Sequence, residues 1–261
     1  MAKVTLKERL GSILRLTAGL LFIGTAASLA MVVLVLLLPW HHRRIRFTNY
    51  FGHVVGRGIM KISGCPITLR GREHVDRDRP AIYAGNHTSI YDAFTSIWLS
   101  PIGTVGVAKK EIIWYPFYGV AWLLAGHLTL DRGNSEKARN AMRRMGEFLN
   151  RHRLHLFMWP EGTRAKDGRL LNFKKGIVHL AIQTKLPIVP MVTQGAHRAW
   201  EKASLTLRQV PITVTFLPAI DTSHWTEDRI EEHLAELRDA FLSALPTEQQ
   251  PLQPAVELAA A

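Results

Sequence analysis

Cysteine is almost missing from this sequence: Cys65 stands alone among 261 residues. No intrachain disulfide can form, and a reducing compartment is the natural reading. A zinc site built on thiolates lacks its ligands for the same reason. Acidic side chains are also scarce, with Asp+Glu 21 against Lys+Arg 33 and a formal charge of +12. That balance calls for an acidic partner: nucleic acid, anionic lipid or a phosphorylated substrate. The basic residues scatter widely, without an RNA-type aromatic signature or a helix-turn-helix pattern, so nucleic acid is not the expected one. There is no internal repeat, and no Gly-x-Ser-x-Gly elbow to suggest an acyl-serine route. What is present is 47% hydrophobic, ample for one α/β domain plus an appendage.

The appendage announces itself at residues 16–40, "LTAGLLFIGTAASLAMVVLVLLLPW", which carry no charge. As a helix this run crosses a hydrocarbon core of about 30 Å. "AASLA" resembles a signal-peptide cleavage site, but the apolar run continues for roughly nine residues past it, which favours an uncleaved anchor. Lys3, Lys7, Arg9 and Arg15 precede the run and Arg43, Arg44 and Arg46 follow it, so charge gives little orientation. Such flanks also suit a segment that enters one leaflet and returns, with bends at Gly19, Gly24 and Pro39. The next stretch, "FTNYFGHVVGRGIMKIS", spaces Phe47, Tyr50, Phe51, Val54 and Val55 as an amphipathic helix. It either lies at the membrane interface or covers the core.

From residue 65 the pattern alternates. "PITLRG", "PAIYAGN", "TVGVAKK", "GHLTLDR", "LHLFMWP", "LPIVPMV" and "VPITVTFL" read as strands. Helical stretches lie between them. One follows "DRGNS", capped by Asn134 or Ser135, with Ala138, Met142, Met145 and Leu149 as its apolar stripe. Another spans "KKGIVHLAIQTK", and a last one runs over 226–244 with Ile230, Leu234, Leu237 and Phe241 on one face. The expected fold is α/β, a mixed, largely parallel sheet flanked by helices, behind an N-terminal membrane-embedded helical segment. The expected division is 1–62 for the anchoring helices, 63–245 for the α/β domain and 246–261 for a frayed or disordered tail.

Within "GNHTSIYDAF", His87 stands five positions before Asp92. An aspartate can orient a catalytic histidine, yet on one helix the two would diverge by about 140°. "SIYD" also fits a capping box, with Ser89 as N-cap and Asp92 at the third helical position. His87 then sits in a strand-to-helix turn, and the two side chains can meet at the carboxyl end of a sheet.

A second constellation, "WPEGTRAKDGRLLNFKKG", gathers Glu161, Arg164, Lys166, Arg169, Lys174 and Lys175 around Gly162, Gly168 and Gly176. Arginine forks and glycine backbones suit a phosphate, although a solvated basic loop has the same composition. A third, "KKEIIWYPFYGVAWLLAGHLTLDR", sets an apolar aromatic run between cationic ends, as a substrate with a phosphate head and an alkyl tail requires. Most of its aromatics are expected in the core.

Taken in order, these pieces resemble the bacterial, membrane-associated 1-acyl-glycerol-3-phosphate acyltransferases. "NHTSIYD" is similar to the family's His-x-x-x-x-Asp block. The third stretch resembles its second block, with Lys110, Glu111, Pro116, Gly119, Gly126 and Arg132 in place. "MWPEGTR" is similar to the Phe-Pro-Glu-Gly-Thr-Arg block, with Trp159 for the usual phenylalanine, and "LPIVPM" to the fourth. The likeness spans roughly residues 65 to 220. It implies transfer of an acyl group from acyl-CoA or an acyl carrier protein to a lysophospholipid hydroxyl, with no cofactor and no metal. It implies His87 as general base and Asp92 as its orienting partner. Glu161, Gly162, Thr163 and Arg164 would bind the glycerol phosphate, with cationic help from Lys110 and Arg132. Asn86 or a neighbouring backbone N–H is a candidate oxyanion donor, and Ser89 is assigned to capping. The partners so implied are lysophosphatidic acid in a membrane and the acyl donor, and the place is the cytoplasmic side of the inner membrane. Another lysolipid acceptor is the alternative, and a non-catalytic protein that binds anionic lipid or nucleic acid a remote one.

Overall fold

The computed structural model describes residues 5–114, 118–130, 135–201 and 203–252. Seven strands form one sheet: β1 Ile67–Arg70, β2 Ile82–Gly85, β3 Thr104–Lys109, β4 Leu128–Leu130, β5 His155–Met158, β6 Ile188–Gln194 and β7 Ile212–Phe216. Each lies inside one of the apolar runs read as strands except β6, which continues two residues past its run, through Thr193 and Gln194. Their order across the sheet is β1-β7-β6-β2-β5-β3-β4. Only β6 and β7 pair antiparallel; the other neighbours run parallel, so the sheet is mixed and largely parallel as expected.

Side chains alternate across a strand with period two, and the two faces bury two different cores. Ile82 and Ala84 of β2, Leu156 and Met158 of β5 and Ile188 of β6 face one side. There they meet Met142 and Leu149 of α5 (Ser135–His152), Ile177 and Leu180 of α6 (Gly176–Thr184), and Leu237 and Phe241 of α8 (Ile230–Ala244). Tyr83, Phe157, Val189 and Met191 face the other way. They pack against Val55 and Ile59 of α2 (His41–Ser63), Tyr91 of α3 (Tyr91–Leu99) and Ala196 of α7 (Ala196–Ala199). A short α4, Tyr118–Leu124, leads into β4.

The anchor is one unbroken helix, α1, Leu6–Leu36. Its most apolar window has a mean hydropathy of 2.4, long and apolar enough to cross a membrane. Gly19 and Gly24 do not interrupt it, and Pro39 falls in the link to α2. Instead of marking a break in the helix, Gly19 lies against Ile59 of α2. The expected boundary near residue 62 separates elements that pack together. Ile45, Val55, Ile59 and Met60 of α2 are buried in the two cores, while Tyr50 and Val54 stay exposed. The helix thus covers the core with one face and leaves an apolar-basic face outside.

The expectation of a frayed tail from residue 246 fails at its start. Gln249 is buried; its side-chain oxygen accepts the Gly195 N–H at 2.9 Å, and its backbone carbonyl accepts the Leu170 N–H at 2.8 Å. Those pairs knit 246–250 into the domain, because the amides they satisfy are otherwise buried without water. Residues 253–261 lie outside the described residues. Arg132 and the candidate cap Asn134 do too, and Ala138 and Ser135 contribute backbone only.

Candidate active site

The parallel strands β2, β5 and β3 end on the same edge of the sheet, and the sequence places His87 after β2, Trp159 to Arg164 after β5 and Lys110 after β3. Loops at such carboxyl ends are where open α/β sheets hold ligands. His87 sits in the turn between β2 and α3, and Asp92 in the first turn of α3. The His87 Nδ1 lies 3.3 Å from Asp92 Oδ2. That oxygen also accepts the backbone N–H of Thr88 at 2.5 Å and of Ser89 at 2.7 Å. Asp92 is buried while the His87 ring keeps 15% of its side chain exposed. The His87 ring is therefore reachable, and its carboxylate partner is not.

The capping expectation is corrected in one half. α3 begins at Tyr91 with Ile90 as N-cap, not Ser89. The carboxylate-to-Ser89 amide bond of a capping box is present, but the Ser89 hydroxyl accepts the Tyr91 N–H and donates to the Trp200 carbonyl.

Glu161 is the larger correction. The resemblance set it among the phosphate-binding residues, yet it is 1% exposed and both its oxygens are turned to backbone amides. Oε1 accepts the backbone N–H of His87 at 2.6 Å and Oε2 that of Leu171 at 2.9 Å. It is a brace between two loops, holding the segment that carries His87. Burial pushes its carboxyl up to about 7, against the pull of those two amide donors. Asn86 is likewise spoken for. Its amide exchanges two hydrogen bonds with the Thr193 backbone, at 2.8 and 2.7 Å, and the side chain is buried.

The rest of the turn does reach the site. Gly162 closes it with φ 72, a left-handed conformation that glycine adopts without strain. Gly162 and Thr163 are exposed and Arg164 is half-buried. The Ala165 N–H donates to the His87 carbonyl at 2.8 Å, which lays this turn along the His87 loop. Lys110 is exposed and opens the 3-10 turn Lys110–Trp114. The site thus brings together His87, Asp92, Gly162, Thr163 and Arg164, with Lys110 on the same edge.

Trp159, noted in the sequence only as an aromatic replacement, stacks on His87 with ring centroids 4.3 Å apart and planes at 15°. An apolar cleft opens beside it, lined by Ala93, Ile97, Val107, Trp122, Phe157 and Trp159. His127 also lines it, and burial pushes that imidazole down to about 4, so the cleft wall stays uncharged at neutral pH. Not all the aromatics expected in the core are there: Trp114 is exposed.

A family model described as Acyltransferase matches residues 66–194. The 1-acyl-sn-glycerol-3-phosphate acyltransferase of Limnanthes douglasii is 49% identical over 221 residues, covering 85% of this chain and 78% of that protein. The chain belongs to the 1-acyl-sn-glycerol-3-phosphate acyltransferase family. The member from Cocos nucifera is 44% identical over 241 residues, 92% of this chain and 78% of its own. That from Escherichia coli K12 is 33% identical over 189 residues, 72% and 76% respectively. Among solved structures, the crystal structure of the 1-acyl-sn-glycerophosphate (LPA) acyltransferase PlsC from Thermotoga maritima superposes with a TM-score of 0.64 at 21% identity. It covers 88% of this chain and 95% of that one, and shows the same fold. The chain is thus an acyltransferase-family protein whose His-x-x-x-x-Asp block forms a contact pair at the edge of the sheet.

Proposed function

We propose that this protein transfers an acyl group from an acyl thioester to the free hydroxyl of 1-acyl-glycerol-3-phosphate, giving phosphatidic acid. The observation that carries the reading is the accessible His87 ring, with Nδ1 against a buried Asp92 and its face on Trp159 at the mouth of an apolar cleft. With Nδ1 turned to the carboxylate, Nε2 is the nitrogen left for the substrate hydroxyl. It takes the hydroxyl proton as the oxygen attacks the thioester carbonyl, and Asp92 stabilises the imidazolium that forms. Collapse of the tetrahedral adduct forms the ester and breaks the C–S bond, and the imidazolium returns the proton to the leaving thiolate. The thioester arrives already activated, so the reading calls for no cofactor and no metal.

The acyl chain of the donor suits the cleft beside Trp159. Gly162, Thr163 and Arg164 suit the acceptor's phosphate, with Lys110 and Arg132 as further cations. The relatives' names support the acceptor. Either acyl-CoA or acyl carrier protein serves the chemistry as donor. Because both are made in the cytoplasm, we place the catalytic domain on the cytoplasmic face of the inner membrane, held there by α1. His87→Ala should cut CoA thiol release from acyl-CoA plus lysophosphatidate by roughly 10²–10⁴-fold. Near-wild-type turnover in a folded variant would rule the mechanism out. Competition among lysolipid acceptors of different head group checks the acceptor.

A further inference from the structure

A second cavity, of about 700 Å³, lies away from the His87 edge. Val75 and Arg77, which precede β2, line it, as do Leu99, Ser100, Pro101 and Ile102, which precede β3. His87 and Lys110 follow those same strands, so the cavity sits toward the amino ends of the strands whose carboxyl ends carry the site. Its charge has one sign. Arg46, His53 and Arg57 come from α2, Arg72 from the turn after β1, Arg77 from the approach to β2, and no acidic residue lines it. Among the described residues none of the four arginines forms an ion pair with a carboxylate. The nearby Asp76 does not line the cavity, and its Oδ1 accepts the Asp78 and Arg79 amides of its own turn.

We infer that this cavity is a second, non-catalytic site for the phosphodiester head group of an anionic membrane phospholipid. Guanidinium forks match phosphate oxygens, and four around one space with no carboxylate make an anion site rather than a salt-bridge network. Apolar and aromatic side chains, Tyr50, Leu69, Trp98 and Phe216, complete the wall, which suits the glycerol backbone of an amphiphile. Tyr50 is 63% exposed and lies one helical turn from the exposed Val54, on the face of α2 that carries Arg46 and Arg57. An exposed apolar-basic face of this kind is what a membrane surface binds.

The acyl donor's nucleotide phosphates do not fit the geometry. The thioester carbonyl must lie at His87, with the acyl chain in the cleft beside α3. Ser100, just past the far end of α3, lines both that cleft and the cavity. A donor placed this way points its chain, not its nucleotide, toward the arginines. His53 also joins the two spaces, its Nε2 lying 2.8 Å from the Ser100 carbonyl.

The test uses the full chain in neutral detergent micelles, titrated calorimetrically with short-chain phosphatidylglycerol, short-chain phosphatidylcholine and inorganic phosphate. Phosphatidylglycerol should bind most tightly, and the pair Arg72→Gln plus Arg77→Gln should raise its Kd roughly thirtyfold, about fivefold per arginine. The pair Arg143→Gln plus Arg144→Gln, exposed on α5 and equal in charge, should leave it unchanged. Equal losses in both pairs would mean delocalised charge and overturn the site. Phosphatidylcholine or inorganic phosphate binding as tightly would overturn the lipid assignment. Displacement of phosphatidylglycerol by acyl-CoA or lysophosphatidate would put it in the active site and also overturn the proposal. Acyl transfer without added phosphatidylglycerol should be the same in the Arg72/Arg77 variant as in the wild type, and loss of it counts against a separate site. If that pair does not fold, Arg57→Gln alone serves, with a Kd raised roughly fivefold expected.

Discussion

Asp92 Oδ2 meets three donors at once: the Thr88 and Ser89 amides and the His87 ring. The two tasks proposed for it, shaping the turn and supporting His87 as base, separate by substitution. Asp92→Asn keeps an oxygen for the two amides but loses the charge. Its kcat should fall on the order of 10²-fold with KM and melting temperature little changed. Asp92→Ala also leaves two buried amides unpaired, so it should lose about 1–3 kcal/mol per amide in addition. Equal melting temperatures for the two variants would show that Asp92 does not shape the turn. Glu161 gives a pH prediction. Its folded carboxyl, raised to about 7, binds more protons than the unfolded one above pH 4.5. Stability should therefore fall as pH rises from about 4.5 to 7 and level off beyond, by on the order of 3 kcal/mol from this group. Urea melts across that range should show a shallower slope for Glu161→Gln, and an unchanged slope would assign the titration elsewhere. The His87–Asp92 contact was legible because a strand-to-helix turn lets the two side chains meet, although the helix starts one residue later than the capping pattern had it. The role of Glu161 was not, since a carboxylate in a basic loop carries no mark of which way it faces.

At the scale of elements, the join between α2 and α3 holds the site in place. Gly56 makes it close: a Cβ there would lie 2.4 Å from the Phe94 carbonyl oxygen and 2.8 Å from the Trp98 Cβ. Gly56→Ala must push apart the helix that carries Asp92. We expect a loss of about 1–3 kcal/mol from overpacking, offset by roughly 1 kcal/mol of helix propensity, and a drop in kcat. At Gly24, where a Cβ meets nothing within 4 Å, the same change should be neutral or stabilising. Melting both variants side by side checks the sign, and equal shifts would refute the close join. All seven strands were legible, because β-branched apolar runs between turn residues mark buried strands regardless of their partners. Their order was not, since pairing depends on contacts far apart in sequence. The ordering of Gln249 was equally hidden: a glutamine in a Pro-rich tail reads as solvated until the amide it satisfies is known.

Across the whole molecule, α1 leaves an outer face that water does not tolerate. Leu14, Leu21, Leu29, Val32 and Leu36 are all exposed along it, and Val54 of α2 and Val120 and Leu123 of α4 add to the apolar surface. The inner side of α1 is protein-bound: Phe22 packs beside Gly58, and the Ser12 hydroxyl accepts the Leu207 N–H at 3.0 Å. Two adjacent residues divide these roles. Leu29 is 71% exposed and Ala30 is 5% exposed. An arginine at the centre of a membrane helix costs about 3 kcal/mol, roughly 10²-fold in partitioning. Leu29→Arg should lower the share of protein retained in membranes after an alkaline carbonate wash, while its acyl transfer in micelles stays near wild type. Ala30→Arg must bury a cation against protein and should lose folded protein outright. If Leu29→Arg stayed fully membrane-bound but misfolded, the outer face of α1 would be packing against protein, and the helix would be a structural element rather than an anchor. The contrast between neighbours is what makes the test decisive, because hydrophobicity alone predicts the same outcome for both.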